Sequence, residues 1–382
     1  MPFDAASIKR HSAALAMTQK KNILNLGPKG LEELFVSWGE PKFRAEQVFR
    51  WIWKQGALTF AEMTNVSKPL KERLEAEYEI RLPKIALSQK SSDGTIKHLI
   101  QFEDGKTVET VWIPREDQDR VTVCVSSQVG CKMGCTFCMT AQQKVERNLL
   151  AGEIAQQLLM MPDRTKITNV VLMGMGEPFD NYDAVMESID IMTSDKGLFI
   201  GPKKITVSTS GLLPKIERFL KESRARLAIS LNASNNEVRS MIMPVNRAYP
   251  IEKLMESVKS IIKNDMPNKP RDFCITWEYI LIKDINDRPE HARELIKILK
   301  GIPSKVNLLL YNENPNVPFK RPLESDIGEF REILSRGGLL NFVRSSRGRD
   351  IAAACGQLAS EHVRKKSPPV QIELGARANA PA

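Results

Sequence analysis

The feature that most limits how this chain can fold is an alternation of short apolar runs and amphipathic helices that begins near residue 117. Six apolar or β-branched runs have the character of buried strands, at residues 121–127, 169–174, 204–208, 225–231, 273–282 and 305–311. Helical stretches separate them, at residues 151–161, 181–193, 213–222, 251–264 and 289–300. Strands that alternate with helices in this way pair in parallel and are covered on both faces. The pattern predicts an α/β core over residues 117–350, built as a partial barrel of six units rather than a short doubly wound sheet.

Residues 1–105 follow a different pattern and predict a small N-terminal accessory domain. Short helical stretches at 31–38, 43–54 and 69–78 lead into a β extension, whose hairpin turns at Asp104-Gly105. The second helix has one apolar face, made of Ala45, Val48, Phe49 and Ile52. Its other face carries Arg44, Gln47, Trp51 and Lys54. Such a face can hold phosphates and stack a base, and it is equally typical of an ordinary solvated helix.

The charge balance allows a polyanionic partner without identifying one. The 382 residues include 56 Lys and Arg against 46 Asp and Glu, which gives a formal net charge of +10. A hydrophobic share of 42% with 27% charged residues excludes a disordered chain for the bulk of the sequence. On charge alone, a basic protein that binds no nucleic acid is the alternative.

The hydropathy of the chain and the composition of its N-terminal residues predict where in the cell the protein is located. No segment approaches the roughly 18 consecutive apolar residues of a membrane span. The apolar stretch at residues 13–17 is too short for a signal peptide. We therefore expect a cytoplasmic protein without a membrane partner. Beyond the core, residues 351–366 are expected to form a C-terminal segment and residues 367–382 a mobile tail.

Four of the six cysteines fall within fifteen residues, and three of them lie in the segment CKMGCTFC at residues 131–138. The segment follows the first strand of the alternation, where barrel-like α/β folds carry their sites. Thiolates favour iron–sulfur clusters or zinc. A four-iron cluster held by Cys131, Cys135 and Cys138 would leave one iron open for a substrate or cofactor. The alternative is a structural zinc site that takes Cys124 as its fourth ligand.

The cysteine spacing, with an aromatic residue before the last cysteine, resembles the radical S-adenosylmethionine (radical SAM) superfamily. The segment GMGEP at 174–178 is similar to that superfamily's motif for the amino group of S-adenosylmethionine. Three further segments narrow the resemblance: VETVWIP at 108–114, CVSSQVGC at 124–131 and RSSRGRDIAAACGQL at 344–358. Together they resemble the RlmN/Cfr family of radical SAM RNA adenosine methyltransferases, over residues 25–360 and most clearly the RlmN branch.

The resemblance implies a partial (β/α)6 TIM-like radical SAM barrel with a small N-terminal helical and β accessory domain. By resemblance, Cys131, Cys135 and Cys138 bind a 4Fe–4S cluster, and S-adenosylmethionine chelates its open iron. Contacts to S-adenosylmethionine are implied for Gly176, Glu177, Ser208, Ser230, Leu231, Asn232 and Asn312. This sequence departs from the family pattern at four places, with Asn232 for a histidine, Ala141 and Lys144 for glycines, and Phe179-Asp180 for a leucine pair.

The resemblance also implies a reaction on carbon 2 of adenine. Cys355 takes a methyl group from one S-adenosylmethionine, and a 5′-deoxyadenosyl radical from a second one abstracts hydrogen from it. The resulting carbon adds to the base, Glu109 accepts a proton, and Cys124 attacks Cys355 to release the product and leave a transient disulfide. A positive charge near Cys355 would favour its thiolate, and Arg347 and Arg349 are the expected sources.

The implied substrates are an adenosine of 23S rRNA near the peptidyl transferase centre and adenosine 37 of tRNAs. A monomer that takes electrons from a donor such as flavodoxin is expected, with the first hundred residues positioning the RNA. Two alternatives stay open. One is a Cfr-like enzyme that methylates carbon 8, and the other is a zinc-bound RNA-binding protein without catalysis.

Overall fold

The computed structural model describes residues 20–264, 266, 270, 272–314 and 317–359. The expectations for the N-terminal apolar stretch and for the tail at 367–382 lie outside these residues. The described chain forms two compact units. The first runs to Leu82 and includes Ser194–Phe199, and the second comprises Pro83–Thr193 and the described residues from Ile200 onward. No helix in the described part of the chain is long and apolar enough to cross a membrane.

The first unit is mainly helical. Its elements are β1 (Lys21–Asn22), α1 (Pro28–Ser37), α2 (Lys42–Arg50), a wide helical turn (Trp51–Gln55), α3 (Lys68–Glu77) and β2 (Tyr78–Glu79). Strands β1 and β2 pair in parallel and bring the two ends of the unit together. The predicted apolar face of the second helix is confirmed, because Ala45, Val48, Phe49 and Ile52 are all buried.

The second unit is built on one ten-stranded sheet. Its strands are β3 (Lys84–Lys90), β4 (Ile96–Gln101), β5 (Thr107–Arg115), β6 (Arg120–Cys124), β9 (Asn169–Leu172), β10 (Ile205–Thr209), β11 (Arg226–Ser230), β12 (Ile275–Leu281), β13 (Ser304–Leu310) and β14 (Leu340–Arg344). They are ordered β14-β13-β12-β11-β10-β9-β6-β5-β4-β3, and a separate short ribbon joins β7 (Gln128–Val129) to β8 (Arg147–Asn148). From β6 to β14 each neighbouring pair is parallel, whereas β3 to β6 are antiparallel.

Helices connect the parallel strands, as the alternation predicts. They are α4 (Ala151–Leu159), α5 (Tyr182–Thr193), α6 (Leu213–Glu222), α7 (Asn236–Ile242), α8 (Ile251–Asn264), α9 (Pro289–Leu299) and α10 (Glu324–Arg336). Side chains from strands far apart in the sheet, such as Cys124 on β6 and Arg344 on β14, line one cavity. The parallel part of the sheet therefore curves into a partial barrel, which confirms the predicted fold class.

The structure adds a seventh parallel strand, β14, to the six that the apolar runs predict. Its side chains are largely exposed, with Leu340 at 56% and Phe342 at 47%, because it is the edge strand of the sheet. An edge strand needs no continuous apolar run, so a strand of this kind is hard to detect in the sequence. The β extension pairs in register with β6, so the division between the two units falls at Leu82, before the hairpin, rather than near residue 105.

Candidate active site

A cavity of about 330 Å³ lies within the second unit and gathers most of the predicted site residues. Those that line it are Cys124, Cys131, Cys135, Cys138, Gly176, Glu177, Ser208, Ser230, Asn232, Asn312 and Cys355. Most of them follow or end parallel strands, at the edge of the sheet where α/β folds place their ligands. Glu109 and Leu231 lie outside the lining, and Leu231 is fully buried behind it.

The three cysteines of residues 131–138 lie on a compact loop. The amide of Cys138 donates to the carbonyl of Cys135 at 3.2 Å, and the amide of Thr136 donates to Ile242 at 3.0 Å. Burial raises the pKa of Cys131 to about 12, and it also raises the pKa values of Cys135 and Cys138. Buried thiolates need compensating positive charge, which iron supplies when it binds them.

The potential metal ligands of the described chain are spread apart rather than gathered at one point. Among the described residues, no group of three or more His, Cys, Asp or Glu side chains converges on one point that could hold a metal ion. A four-iron cluster takes each thiolate at a different iron, so its ligands are spread around it.

In the GMGEP loop after β9, the backbone of Gly176 lies very close to Gln128. Gly176 has φ of +101°, and a Cβ there would lie 2.7 Å from both the Cβ and the amide nitrogen of Gln128. Only glycine fits this position without displacing the chain. The turn aims the buried carboxylate of Glu177 at two amides, which donate from Phe179 at 3.0 Å and from Ser210 at 2.8 Å. Glu177 thereby joins the end of β9 to the end of β10, while burial raises its pKa.

The departure at Asn232 has a structural reason. Asn232 has φ of +57°, a left-handed conformation that asparagine adopts more readily than most residues. Its Oδ1 accepts from the amide of Ile280 at 2.9 Å, and its carbonyl accepts from Asn286 at 2.7 Å. The side chain thus ties the end of β11 to β12 as well as lining the cavity.

Arg239 is a structural element of the site that the sequence patterns did not reveal. It lies on the short helix α7, is 0% exposed, and uses all five N–H donors of its guanidinium group. The acceptors are Leu231 O at 3.0 Å, Asn246 Oδ1 at 3.0 Å, Tyr249 O at 3.2 Å, Ser210 O at 2.8 Å and Ser230 O at 3.3 Å. Burial lowers its pKa to about 10, so it stays charged at neutral pH. It joins the loops after β10 and β11, and no motif marks it in the sequence.

One orphaned polar atom supports the fit to a polar cofactor. Asn312 donates through Nδ2 to the carbonyl of Cys355 at 3.3 Å, but its buried Oδ1 has no partner among the described residues. An unsatisfied buried acceptor is costly, and a ligand with an N–H or O–H group would relieve it. The cavity residues therefore suit a three-cysteine cluster with S-adenosylmethionine beside it.

Cys355 lies in residues 352–359, which we call the Cys355 segment. One buried ion pair holds both of its ends: Lys97 Nζ and Glu109 Oε1 are 3.0 Å apart, and their side chains are only 3% and 4% exposed. Lys97 donates to the carbonyl of Ala352 at 3.2 Å, and the amide of Ala359 donates to Glu109 Oε2 at 2.7 Å. Glu109 therefore contacts one end of the segment and is not among the residues that line the cavity.

Further contacts connect the Cys355 segment to its surroundings. The amide of Met139 donates to Gly356 O at 2.8 Å, and the Thr140 hydroxyl donates to Leu358 O at 2.7 Å, so the cysteine loop touches the segment directly. Just before the segment, Ser91 donates to Asp350 at 2.6 Å, and the amide of Gly348 donates to Asp93 at 3.0 Å. The segment is thus held by the β extension on one side and the cysteine loop on the other.

Cys124 and Cys355 are both free thiols that line the cavity. Burial and the neighbouring Cys355 raise the pKa of Cys124. Cys355 is an exposed residue, but loss of hydration around its sulfur in the cavity and the carboxylate of Glu278 raise the pKa of its thiol, while Arg344 opposes that shift. Of the two predicted cations, Arg347 lines the same cavity and its guanidinium group lies 4.0 Å from the carboxylate of Asp93, whereas Arg349 is exposed and lies outside the lining. Arg344, at the end of strand β14, also lines the cavity, and its charge lowers the pKa of Cys355.

Comparison with known proteins agrees with this geometry. Residues 21–80 match the ribosomal RNA large subunit methyltransferase N-terminal domain, and residues 125–314 match the radical SAM superfamily. The chain is 45% identical over 352 residues to the dual-specificity RNA methyltransferase RlmN of Alcanivorax borkumensis, covering 90% of this chain and 91% of that protein.

The fold has a counterpart in a crystal structure of a radical SAM methyltransferase from Sphaerobacter thermophilus. The TM-score is 0.81 at 39% sequence identity, over 89% of this chain and 100% of that one. Similarity of this degree over nearly the full length, together with the cavity and its cysteines, shows to which family the chain belongs. The chain belongs to the RlmN family of radical SAM RNA methyltransferases.

Proposed function

We propose that this enzyme methylates carbon 2 of a specific adenosine in 23S rRNA, near the peptidyl transferase centre, and adenosine 37 of tRNAs. The observation that carries the proposal is that two free thiols, Cys124 and Cys355, share one cavity with the three cysteines of residues 131–138. Carbon 2 of adenine is an electron-poor C–H position that no side-chain base makes a useful nucleophile. A carbon radical is a suitable reagent there, and a cysteine can carry the carbon to be transferred.

Radical SAM enzymes use a 4Fe–4S cluster and S-adenosylmethionine, and we assign the residues that hold them. Cys131, Cys135 and Cys138 hold the cluster. The residues assigned to S-adenosylmethionine are Gly176, Glu177, Ser208, Ser230, Leu231, Asn232 and Asn312, of which Leu231 contributes its backbone. When bound and reduced, these cofactors supply a primary carbon radical, and a second S-adenosylmethionine in each turnover supplies the methyl group.

The two thiols have different tasks in this proposal. The Cys355 thiolate displaces a methyl group from S-adenosylmethionine, and Arg344 supports the charge on its sulfur. The carbon on Cys355, as a radical, would bond to carbon 2 of the base, and the adduct would then give up one proton to Glu109 and one electron, which the oxidised cluster would accept when it is bound. Cys124 attacks the Cys355 sulfur: an S–S bond forms, the bond from that sulfur to the transferred carbon breaks, and its electron pair takes a proton to complete the methyl group. A reductant such as flavodoxin or a thiol then restores the cysteines.

Glu109 is the proposed acceptor of the proton from carbon 2. Its carboxylate is held by Lys97 and by the amide of Ala359, and it lies outside the cavity lining. We propose that the carboxylate reaches the base after a local rearrangement of the Cys355 segment, to which the amide of Ala359 ties it. The role of Glu109 therefore requires a movement of the loop that carries Cys355.

Cationic side chains in the cavity support a polyanionic substrate. Arg115 and Arg120 lie directly opposite each other on β5 and β6, where like charges are destabilising. Arg115 is paired with Asp117, but the buried Nε of Arg120 has no acceptor among the described residues. Arg344 lines the same cavity. We assign these guanidinium groups to phosphates beside the target adenosine, since planar guanidinium groups bind phosphate in a bidentate way.

The remaining parts of the proposal concern partners and location. The N-terminal unit, including helix α2, positions the RNA, while the second unit takes one adenosine out of its stack. The formal charge of +10 suits this substrate. We propose that the enzyme acts as a monomer in the cytoplasm, where its RNA substrates and a reducing environment for its thiols are found.

Nucleoside mass spectrometry tests the proposal. Unmodified ribosomal RNA and tRNA are treated anaerobically with the reconstituted enzyme, S-adenosylmethionine and a reductant, then digested. We expect 2-methyladenosine, and none with a Cys135→Ala enzyme. Formation of 8-methyladenosine alone would show Cfr-like chemistry instead, and an anaerobic preparation that contains zinc but no iron or sulfide would exclude radical chemistry.

A further inference from the structure

Asp180, one of the positions where this chain departs from the family pattern, connects the two loops to which the cofactors are assigned. It lies in a short helical turn (Pro178–Asn181) that continues the GMGEP loop. Its side chain is 19% exposed, and its two carboxylate oxygens have different partners. Oδ2 accepts from Nε2 of Gln128 at 2.8 Å, and Oδ1 lies 2.5 Å from Nζ of Lys132, the residue next to Cys131 on the cysteine loop.

Gln128 fixes the position of this carboxylate. Its side chain is 0% exposed, and its amide group is hydrogen-bonded at both the oxygen and the nitrogen. Oε1 accepts from the backbone amide of Glu177 at 2.8 Å, while Nε2 donates to Asn148 Oδ1 at 2.8 Å as well as to Asp180. The amide of Asp180 donates to the carbonyl of Glu177 at 3.0 Å, which closes a ring of hydrogen bonds. The Gln128 side chain is held in this orientation, because turning its amide over would place N–H groups against the N–H of Glu177.

The Lys132–Asp180 pair also balances charge beside Cys131. Burial has the largest effect in raising the pKa of the Cys131 thiol, and the Asp180 carboxylate is one of the groups that raise it further. The field of this carboxylate thus reaches the sulfur, and the half-exposed Lys132 ammonium beside it carries the opposite charge. Replacing either partner alone would change the net charge near the sulfur, whereas replacing both would leave it as it is.

We propose that Asp180 is a positioning residue that holds the loop assigned to S-adenosylmethionine against the cysteine loop, through Gln128 on one side and Lys132 on the other. The inference rests on the proposed assignment of a cluster to the three cysteines of residues 131–138 and of S-adenosylmethionine to Glu177. A ligand that must contact both loops binds more tightly when their separation is already fixed, because ordering them on binding would reduce the affinity. Asp180 acts through the two loops and is assigned no contact with either cofactor.

The affinity for S-adenosylmethionine tests the positioning role. Equilibrium dialysis of the anaerobically reconstituted enzyme against labelled S-adenosylmethionine gives the dissociation constant. For Asp180→Ala we expect about tenfold weaker binding, because the amide of Gln128 loses a charged acceptor. Lys132→Met, at a half-exposed ion pair, should weaken binding about two- to threefold, and Lys132→Arg should bind like the wild type. Lys203→Met, at a similarly exposed pair with Asp272, is the matched control and should also bind like the wild type.

Redox titration separates the effect of the ion pair from a general loss of structure. The midpoint potential of the bound cluster is followed by electron paramagnetic resonance. Asp180→Asn keeps the size of the side chain and an oxygen for Gln128 but removes the anion, so the potential should become more positive. Lys132→Met removes the cation, so the potential should become more negative, and the double variant should return close to the wild type. A general loss of structure would not produce opposite shifts that cancel.

Three results would overturn the proposal. The first is a dissociation constant for Asp180→Ala equal to that of the wild type at full iron content, and the second is a shift of potential in the same direction in Asp180→Asn and Lys132→Met. If Asp180→Ala does not retain its cluster, the potentials of the other two variants decide. The third is a wild-type enzyme that takes up no iron–sulfur cluster, which would overturn the cofactor assignments as well. RNA methylation is not measured, so these results do not depend on which product the enzyme forms.

Discussion

The cavity has two walls that are stabilised in different ways. One, which we call the strand-end wall, consists of the loops after β9, β10 and β11 and is joined by Glu177 and Arg239. The other is the Cys355 segment. The link from Glu177 to Ser210 spans 33 residues, whereas the links from Lys97 to Ala352 and from Thr140 to Leu358 span 255 and 218. Contacts between neighbouring strands of the sheet form the first wall. The second wall forms only when residues more than 200 positions apart come together in the folded chain.

This difference matches the chemistry that we assign to each wall. A cofactor site needs fixed polar groups, and strand ends joined by a buried guanidinium provide them. A thiol that must receive a methyl group, meet a base and then meet a second thiol needs a segment that can move. A loop held by a few side-chain contacts can be released by changing one of them.

The largest effect is expected from removing the reactive thiol of the Cys355 segment. Cys355→Ala should abolish RNA methylation, because no sulfur remains to carry the methyl group. The strand-end wall is untouched, so slow cleavage of S-adenosylmethionine to 5′-deoxyadenosine should persist, which chromatography of the small molecules can detect. As a companion, Cys124→Ala should accumulate RNA linked to the protein. Normal yields of free methylated RNA from either variant would contradict the assigned roles.

The strand-end wall should be most sensitive at Arg239. Arg239→Met leaves the carbonyls of Ser210, Ser230 and Leu231 without their donor inside the protein. We expect a loss of about 3–5 kcal/mol in the free energy of unfolding, since a buried hydrogen-bonded charge is removed from its network. Urea denaturation measures this, and binding of S-adenosylmethionine should weaken in parallel. Arg336→Met, at an exposed site paired with Glu332, should change stability by less than about 0.5 kcal/mol.

A smaller effect is expected at Asn232, where the family residue is histidine. Asn232→His keeps a side chain that tolerates the left-handed backbone but loses the bond from Oδ1 to the amide of Ile280. We expect a cost of about 1 kcal/mol in unfolding free energy, as for one buried hydrogen bond, with methylation retained. Thermal unfolding checks the first part. A loss of several kcal/mol would mean that the amide does more for the strand-end wall than join β11 to β12.

The smallest effect is expected where the β extension contacts the chain just before the Cys355 segment. Ser91→Ala removes the bond to Asp350 and should cost about 1 kcal/mol or less, because Asp350 also accepts from the amide of Ser92. Hydrogen exchange at residues 348–352 should rise, whereas exchange in β10 and β11 should not. Equal changes in both regions would show that the two walls are stabilised together rather than separately.

Whether a region could be predicted from the sequence depends on how far apart along the chain its interacting residues lie. Helices α6 and α8 begin and end where the periodicity of their apolar residues predicts, because a helix face is a local pattern. Strand β14 was missed, since an exposed edge strand carries no apolar run. Arg239 was also missed, because its role is defined by five acceptors, at residues 210, 230–231 and 246–249, that come together around it only in the folded chain. The sequence predicts Arg347 and Arg349 as cations near Cys355, and the curvature of the sheet adds Arg344 to the cavity that Arg347 also lines.

The sequence by itself determined the strand and helix alternation, the three cysteines of residues 131–138, the polar strand ends and the family. These are local patterns, which can be recognised from the residue types and their spacing along the chain. The resemblance implies that Cys124 meets Cys355, but only the tertiary structure shows the cavity that both line and the Lys97–Glu109 pair that contacts both ends of the Cys355 segment. Such relations join residues more than 200 positions apart, so they arise from how the sheet curves and closes rather than from any spacing along the chain.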